Sequence, residues 1–275
     1  MACLSPFPLK PKIAELSVSI GAEQQRAEVL AGWWSADGLM PRADAVGNVW
    51  ALAAPGNGPA ILLCAHLDTV FGPQIRHEVR AANGRLIGPG VGDDTVALAA
   101  LAAIGILLAG DWGPLWLVAT VGEEGTGNLS GIRHALATAP QPVGAVIAVE
   151  GNYLGRVVNV GVGSVRWRVA FTGPGGHAWE RSTAPSAVHA AAAAAARLAA
   201  LTVPGARCSV NIGSIGGGEA INARARSAWL EVDLRADAAD ALGQLENRAT
   251  EALTAVTPTT PNTFTVWACS VRRSR

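Results

Sequence analysis

Charged residues are scarce in this 275-residue chain, and neither sign is in excess. They make up 15% of the sequence, as 21 basic and 21 acidic residues, so the formal net charge is +0. Proteins that bind nucleic acid or an anionic membrane by electrostatic attraction usually carry a concentrated positive charge. We therefore predict neither a nucleic-acid partner nor a membrane partner.

Cysteine pairs and long apolar runs are also lacking. The four cysteines are widely spaced and form no C-x-x-C pair, which argues against a zinc ribbon and against a disulfide framework. The longest uncharged apolar stretch, 95–110, is shorter than a membrane span and favours a buried helix. Prolines interrupt the N-terminal sequence, where a secretory signal would need a continuous apolar region. We expect a soluble cytoplasmic protein.

The N-terminal half alternates apolar strands with helices. Continuous apolar runs are typical of strands that are buried on both faces, and such strands alternating with helices indicate a mostly parallel sheet covered by helices on both sides. The pattern predicts strands at 44–54 (with a kink or turn at 47–48), 59–67, 115–121 and 145–150, and helices at 13–34, 95–109 and 128–138.

The pattern changes near residue 160. The segment 163–173 alternates apolar and charged residues, as a half-exposed antiparallel strand does. Further strands are predicted at 208–218, 225–237 and 263–271, with helices at 184–201 and 238–255. The order β-α-β-β-α-β is that of a ferredoxin-like α+β unit. We predict an α/β domain over 1–160 and a smaller α+β domain over 161–275.

Polar side chains follow the ends of the predicted parallel strands. Because these strand ends lie along one edge of the sheet, the side chains should converge. Buried adjacent carboxylates are costly unless a cation neutralises them, although each cluster alone could be a solvated loop. The converging residues are one imidazole and six carboxylates: His66, Asp68, Asp93, Asp94, Glu123, Glu124 and Glu150.

The chemistry of this set predicts a metal site. Imidazole with carboxylate suits zinc first, with cobalt or manganese as alternatives, better than it suits calcium. The number of carboxylates indicates two divalent ions that share a bridging ligand. A dinucleotide site is disfavoured, because Asp93 stands where G-x-G-x-x-G needs its third glycine and would repel a pyrophosphate.

Five motifs in order carry a family resemblance: HLDTV (66–70), GPGVGDD (88–94), GEEGTG (122–127), VEG (149–151) and GPGGHA (173–178). NIGSIGGGEAIN (211–222) and VDLR (232–235) extend it. The chain resembles the M20 metallopeptidase family, which includes acetylornithine deacetylase, succinyl-diaminopimelate desuccinylase and carboxypeptidase G2. The resemblance covers the chain from about residue 13. It implies that 1–160 is part of a zinc-hydrolase catalytic domain and that 161–275 is a lid and dimerisation domain.

The resemblance also implies roles at the strand ends. His66, Asp93, Glu124 and Glu150 would be the metal ligands, with Asp93 bridging the two ions. Asp68 would orient His66, which explains why the two residues are two positions apart at a strand end.

Further implied roles concern proton transfer and the substrate. Glu123 would be the general base and acid, and His177 would stabilise the oxyanion in the partner subunit's site of a homodimer. Asn222 and Arg235 resemble positions that contact the substrate. The implied reaction is hydrolysis of the amide bond of N-acyl amino acids or short peptides.

Several residues have simpler alternative interpretations. Asp94, expected to support its turn, could be a helix N-cap. Arg235 could form only a surface ion pair. Trp179 is expected to be a packing residue, and the histidines at 77, 134 and 189 are expected to be structural.

One departure from the family pattern bears on activity. Family members return to the catalytic domain after the small domain, and that return carries the last metal ligand, a histidine; here no histidine follows His189. We expect a C-terminally truncated form, which we favour, or one piece of a split protein, or a shortened homologue kept for binding or dimerisation. The chain alone is then expected to be poorly soluble or inactive. A binuclear phosphoesterase is a further alternative, because ligand types alone do not determine which bond is cleaved.

Overall fold

The computed structural model describes residues 23–72, 74–76, 78–107, 113–151, 155–202, 205, 207–256 and 263–271. The chain divides after Val157 into two compact units, an N-terminal unit and a C-terminal unit. Across the described residues, no helix is both long enough and apolar enough to cross a membrane.

The N-terminal unit alternates strands with helices, as its apolar runs predict. Its elements are α1 (Gln24–Ala36), β1 (Arg42–Ala43), β2 (Val49–Ala54), β3 (Ala60–His66), β4 (Arg80–Ala82), β5 (Arg85–Ile87), α2 (Val96–Leu107), β6 (Leu115–Thr120), α3 (Ser130–Thr138) and β7 (Val143–Ala148). Of the helix predicted at 13–34, only the part from residue 23 onwards is described, and residues 108–109 of the helix predicted at 95–109 also lie outside the described residues.

Five of these strands form one sheet in the order β1-β2-β6-β3-β7. β3 runs parallel to β6 on one side and to β7 on the other, while β2 is antiparallel to β6. Of the strand predicted at 44–54, only Val49–Ala54 forms a strand. Residues 44–48 are the turn between β1 and β2, in which Gly47 has a φ of 101° that favours glycine. The mostly parallel α/β sheet is confirmed, with β1 and β2 as an antiparallel extension.

Helices cover both faces of this sheet, as predicted. α1 and α2 pack on one face, and α3 packs on the other. The strands are apolar on both faces for this reason, and β3 is buried along almost its whole length. The first core includes Leu30, Trp34, Leu98, Leu101, Leu63 and Leu117, and the second includes Trp50, Leu62, Val118 and Ala135.

The C-terminal unit has the ferredoxin-like arrangement that the sequence predicts. Its strands β8 (Gly163–Thr172), β10 (Cys208–Gly217), β12 (Ser227–Ala236) and β13 (Thr263–Val271) pair antiparallel in the order β10-β12-β8-β13. Two helices complete the unit, α4 (Ala187–Ala199) and α5 (Ala239–Thr254), and β9 (Gly176–His177) pairs with β11 (Ala223–Arg224).

The four-stranded sheet has one apolar and one polar face. Alternate residues of β8, such as Val165, Val169 and Phe171, are buried against the helices. α4 contributes a stripe of small buried alanines, which lets the helix approach the sheet closely. The residues between them on β8 and β12, including Arg168 and Glu231, form the opposite face and remain partly accessible. This alternation is the pattern expected of a half-exposed antiparallel sheet.

Candidate metal centre

Three parallel strands of the N-terminal unit end at the same edge of the sheet, and each is followed by acidic residues. β3 ends at His66, whose backbone position is opposite Thr120 at the end of β6. Glu123 and Glu124 follow β6, and Glu150 follows β7. The carboxyl ends of parallel strands thus bring residues from distant parts of the sequence to one place, as expected for such sheets.

His66 is buried and lies between two aspartates. Its Nε2 is 2.9 Å from Asp93 Oδ1, and its Nδ1 is 3.0 Å from the backbone carbonyl oxygen of Asp68 and 3.4 Å from Asp68 Oδ1. Burial alone would lower the pKa of His66, but the hydrogen bonds with Asp68 and Asp93 and the charge of Asp94 outweigh it and raise the pKa to about 11. The imidazole therefore lies in a strongly negative environment.

Asp68 is completely buried and contacts both His66 at the end of β3 and the loop that follows β6. Its Oδ1 accepts a hydrogen bond from the Glu123 backbone N–H at 3.1 Å, and its Oδ2 accepts one from Glu124 at 2.7 Å. Burial would raise the pKa of Asp68, but the hydrogen bonds from His66, Glu124 and Glu123 lower it. Because β3 ends at His66, Asp68 contacts the imidazole from the loop beyond the strand, through its carbonyl as well as its carboxylate.

Asp94 links two strand ends. It is completely buried, its Oδ2 accepts from the backbone N–H of His66 at 3.1 Å, and its Oδ1 accepts from Gly151 at 3.2 Å. Burial and the charge of Glu150 raise its pKa to about 8. Both contacts join Asp94 to residues at or just after the ends of other strands, which fits the expected support of the turn. The peptide bond between Asp93 and Asp94 is cis.

Two overlapping sets of donor atoms could hold divalent ions. In one set, atoms of His66, Asp93 and Glu150 all lie within 4.8 Å of one another, and in the other, atoms of His66, Glu123 and Glu124 do so. The first set contains three predicted ligands. The second adds Glu124 together with Glu123, the predicted proton carrier. Asp93 belongs only to the first set, so its bridging role stays a prediction.

The electrostatics of these carboxylates suit a bound cation. Burial, followed by the charges of Glu123 and Asp93, raises the pKa of Glu124 to about 7. Burial and the charges of Asp93 and Glu123 likewise raise the pKa of Glu150. Both carboxylates would ionise more readily beside a positive charge, and mixed imidazole and carboxylate donors suit a transition metal or zinc. The residues present therefore fit divalent metal ions.

Two glycines allow the strand ends to approach closely. A side chain at Gly151 would collide with the carbonyl of Gly92, and the absence of one lets the Gly151 N–H reach Asp94. Gly122 has a φ of 63°, which favours glycine, and it directs the chain into Glu123 and Glu124. These contacts give a physical reason for the glycines in the VEG and GEEGTG motifs.

A family comparison identifies the fold that carries this site. Residues 62–241 match the model of "Peptidase family M20/M25/M40". The chain belongs to the M20 peptidase family. Membership places it among hydrolases of amide bonds. No curated protein matches it in a sequence comparison.

Solved structures share the M20 fold. A tripeptidase from Staphylococcus aureus subsp. aureus Mu50 matches with a TM-score of 0.68 at 20% identity, covering 96% of this chain and 75% of its own. An aminobenzoyl-glutamate utilization protein from Klebsiella pneumoniae gives 0.65 at 17% identity, covering 94% and 74%. YxeP from Bacillus subtilis, described as a dinuclear metal-binding M20 peptidase, gives 0.61 at 14%, covering 97% and 74%. At these identities the likeness shows a common fold.

The C-terminal unit of this M20 chain brings two predicted site residues together. His177 pairs with Ala223 between β9 and β11, and the Ala178 N–H donates to the carbonyl of Asn222 at 2.7 Å. Both His177 and Asn222 line a cavity of about 460 Å³, together with Gly176, Glu219, Ala223, Arg224 and Arg226.

Arg235 lies elsewhere in the same unit. β12 begins beside Arg226 and carries Arg235 near its other end, roughly 30 Å away at the rise of an extended strand. The Arg235 Nε donates to Asp233 Oδ2 at 2.7 Å on the polar face of the sheet. The structure thus gives Arg235 the ion pair of the alternative interpretation and does not bring it to the cavity that Asn222 lines.

Two other sequence expectations concern single residues. Trp179 is 85% exposed, so the expectation that it packs in a core is wrong. His134, on α3, has its Nε2 3.9 Å from Asp44 Oδ2. His189 is exposed on α4, and His77 lies outside the described residues.

Sequence reasoning missed the buried polar residues that support the strand ends. Asn48 accepts from the Val121 N–H at 3.0 Å and donates to the Gly131 carbonyl at 3.0 Å, which holds the loop before Glu123. Glu23 and Arg26 approach the same edge from α1. A signal for Arg26 was available, because it is a charged residue in the apolar stripe that Leu30 and Trp34 continue at four-residue spacing.

Proposed function

We propose that this chain is a metal-dependent deacylase or peptidase that hydrolyses the amide bond of N-acyl amino acids or short peptides. The observation that carries the proposal is the pair of donor sets sharing His66 at the carboxyl edge of an M20 sheet. The description of YxeP as a dinuclear metal-binding peptidase supports a two-ion site, and the name of the Klebsiella protein supports an acyl amino acid as substrate. The proposed ions are zinc, or cobalt or manganese.

His66, Asp93, Glu124 and Glu150 would hold the ions, with Asp93 as the bridge. When bound, divalent ions supply Lewis acidity toward the amide carbonyl and lower the pKa of water. The chain's own contribution is geometric, because Asp68 and Asp94 anchor the backbones on which these ligands are carried.

Glu123 is the proposed proton carrier. Its backbone N–H is held by Asp68 Oδ1, and its carboxylate lies within the second donor set. In the proposed reaction, the Glu123 carboxylate takes a proton from the attacking water and then gives it to the amide nitrogen as the C–N bond breaks. The products are a free carboxylic acid and a free amine, and Glu123 returns to its ionised form.

The C-terminal unit is proposed to complete the site in a homodimer. His177 is exposed and lines a cavity with Asn222, which supports a role in binding the carbonyl oxygen and the polar part of a substrate. β10 is an edge strand of the described sheet and carries the exposed Ile215, which supports dimerisation through this unit. Light scattering of the purified chain should give twice the mass of one chain; a monomer at micromolar concentration contradicts this part of the proposal.

Full activity is proposed to need one more histidine ligand. Among the described residues, His66 is the only imidazole in the two donor sets, while β7 exposes Val146 and Ile147 at the neighbouring edge of the sheet. Free imidazole should therefore raise the hydrolysis rate of the metal-loaded chain, and a rate that does not respond to imidazole contradicts this requirement.

The test of the function is an assay of amine release from N-acetyl amino acids and tripeptides by the zinc-loaded chain, with and without imidazole. Glu123→Gln should lower kcat by about 10²- to 10⁴-fold while metal binding persists, because only the proton transfer is lost. Glu231→Gln, on the polar face of the other unit, is the matched control and should leave kcat unchanged.

Three outcomes count against the proposal. Faster cleavage of a phosphodiester than of any amide would favour a phosphoesterase. Equal rates for the wild type and Glu123→Gln would remove Glu123 from the mechanism. Metal binding without any hydrolysis, even with imidazole present, would favour a binding or dimerisation role.

A further inference from the structure

Helix α1 buries an arginine within its apolar stripe. Arg26, Leu30 and Trp34 recur at intervals of four residues and so lie on one side of the helix, and they are 1%, 0% and 0% exposed. Of the described lysine and arginine residues, Arg26 is the one that is buried. Because burying a guanidinium is costly unless it is hydrogen-bonded and paired with negative charge, its surroundings should contain both compensations.

The hydrogen bond of Arg26 reaches the turn that carries two aspartates of the metal centre. Its Nη2 donates to Thr95 Oγ1 at 2.9 Å, and Thr95 is itself completely buried. Thr95 is the last residue of the turn Val91–Thr95, and its N–H donates to the Gly90 carbonyl at 3.1 Å. The side chain of Arg26 therefore ties α1 to the last residue of the turn Val91–Thr95, which contains Asp93 and Asp94.

The negative charge near Arg26 comes from the two aspartates that organise the site. The guanidinium is attracted by Asp94, Asp68 and Glu23, in that order. Asp94 and Asp68 are both 0% exposed, and between them they hold the backbone N–H groups of His66, Gly151, Glu123 and Glu124. Neither aspartate belongs to the two donor sets, so a metal ion would not be their direct partner.

The residue immediately before α1 supports the adjacent loop. Glu23 is 4% exposed, and its Oε1 accepts from the Gly122 N–H at 3.3 Å, immediately before Glu123. The start of α1 thus contacts the turn with Asp93 and Asp94 through Arg26, and the loop with Glu123 and Glu124 through Glu23.

We infer that Arg26 is a positioning residue of the metal centre. It holds the Asp93–Asp94 turn through Thr95, and its charge compensates the buried carboxylates of Asp68 and Asp94. This inference rests on the proposed metal-binding function, and it adds a residue that touches neither the ions nor the substrate. Without Arg26, the backbone anchors of the ligands would loosen, and the donor atoms would no longer be held at metal-binding distances.

The test uses Co²⁺ as the probe, because its visible absorption reports the geometry of its ligands. The variants are Arg26→Gln, Thr95→Val and the double variant. Thr95→Val removes the hydroxyl that accepts from Arg26 but keeps the positive charge of Arg26. Arg42→Gln is the control, since Arg42 is a surface arginine that stacks on Trp50 and Trp116. Each chain is titrated with Co²⁺ at full length, its kcat and KM are measured, and its unfolding is followed in the presence of chelator.

Arg26→Gln should bind Co²⁺ about 10-fold more weakly, at the low end of the loss usual when a ligand's own hydrogen-bond partner is removed, because Arg26 acts through Asp68, Asp94 and Thr95. Its visible spectrum should also change. Thr95→Val should show a smaller effect in the same direction. The double variant should match Arg26→Gln, because the hydrogen bond that Thr95→Val removes is already lost when Arg26 is replaced. kcat should fall more than KM changes, and Arg42→Gln should match the wild type.

Unchanged Co²⁺ affinity and spectrum in folded Arg26→Gln overturn the inference, even if the variant unfolds more easily, because the arginine would then be purely structural. Should Arg26→Gln fail to fold, Thr95→Val decides: weaker Co²⁺ binding supports the inference, and wild-type binding overturns it. A wild-type chain that binds no Co²⁺ instead overturns the proposed function.

Discussion

The acidic residues of the two units differ in how their charge is balanced. In the N-terminal unit, six carboxylates lie around the imidazole of His66, and the buried Arg26 is attracted to two of them, Asp94 and Asp68. In the C-terminal unit, two acidic residues of β12 face three arginines: Arg168 is 2.6 Å from Glu231, while Arg166 and Arg235 are 3.9 and 2.7 Å from Asp233. The candidate site thus gathers six carboxylates around one imidazole, whereas each of these two carboxylates on β12 has an arginine partner.

In the C-terminal unit, the charges of Glu231 and Asp233 are balanced by arginines without any bound ligand. Arg168 also lies over the ring of Trp229, 4.3 Å from its centroid, so that stacking adds to the ion pair. Glu231 accepts a further hydrogen bond from Ser214 at 2.6 Å. Such partly exposed pairs contribute little to stability and do not attract a cation. Balance of charge, rather than the number of acidic residues, indicates function here.

The largest expected effect comes from removing metal. Chelation should abolish hydrolysis and zinc should restore it, with two ions bound per chain, because both candidate donor sets lie in the N-terminal unit. The doubly substituted chain with Glu231→Gln and Asp233→Asn should bind the same number of ions in a zinc titration. A loss of bound ions in that chain would break the comparison.

Asp68→Asn is expected to have the next largest effect. It should lower the free energy of unfolding by about 2 kcal/mol, because an amide cannot accept from the N–H groups of both Glu123 and Glu124 as the carboxylate does. Asp233→Asn is the matched control on the polar sheet face and should cost less than about 1 kcal/mol. Denaturant titration of the metal-free chains measures both, and equal losses would contradict the distinction.

Asp44 sharpens the comparison, because it is a compensated carboxylate within the N-terminal unit. It accepts from the backbone N–H groups of Val46, Gly47 and Asn48 and from the side chains of Asn48 and Trp50. Burial would raise the pKa of Asp44, but these hydrogen bonds outweigh it and lower the pKa from its ordinary value of 3.8.

A lowered pKa in the folded state means that Asp44 stabilises the protein above about pH 4 and loses this effect as pH falls further. Asp44→Asn should therefore cost about 1.5 kcal/mol at neutral pH, and the difference from wild type should shrink below pH 4. Unfolding curves at pH 7 and pH 3 provide the measurement. If the stability difference between wild type and Asp44→Asn instead grows at low pH, the pKa of Asp44 is not lowered by folding.

The smallest effect is expected at the exposed ion pair of the C-terminal unit. Glu231→Gln should lower the free energy of unfolding by about 0.5 kcal/mol, and added salt should reduce this difference, because Arg168 and Glu231 are both nearly half exposed. Denaturant titration at low and high salt tests this. A loss several times larger, insensitive to salt, would show that the pair is not a surface pair.

Much of the fold could be predicted from local patterns. Runs such as 59–67 and 115–121 are apolar throughout, and a strand buried between two helical layers requires that composition. Their convergence at one edge followed from the parallel arrangement, which is why His66 and the carboxylates after β6 and β7 could be grouped before the structure was known. The antiparallel attachment of β2 could not be predicted, because strand order depends on distant pairing rather than local composition.

The supporting residues were harder to predict for the same reason. Asp68 was expected to orient His66, but its two hydrogen bonds to the backbone after β6 join positions 55 and 56 residues apart in the sequence. Arg26 reaches Thr95 across 69 residues. Trp179 has a large, mostly apolar side chain and is nevertheless exposed. Burial depends on what packs against a residue, and the local sequence does not show that.

The sequence by itself determined the family, the order of the elements and the acidic residues that end the parallel strands, since these follow from motifs and short-range periodicity. Only the tertiary structure decided which carboxylates share a candidate metal site and which pair with arginines. Charge compensation depends on distances between side chains from separate elements, as with Arg26 behind Asp94 and Arg235 beside Asp233. Packing of the whole sheet and its helices sets these distances.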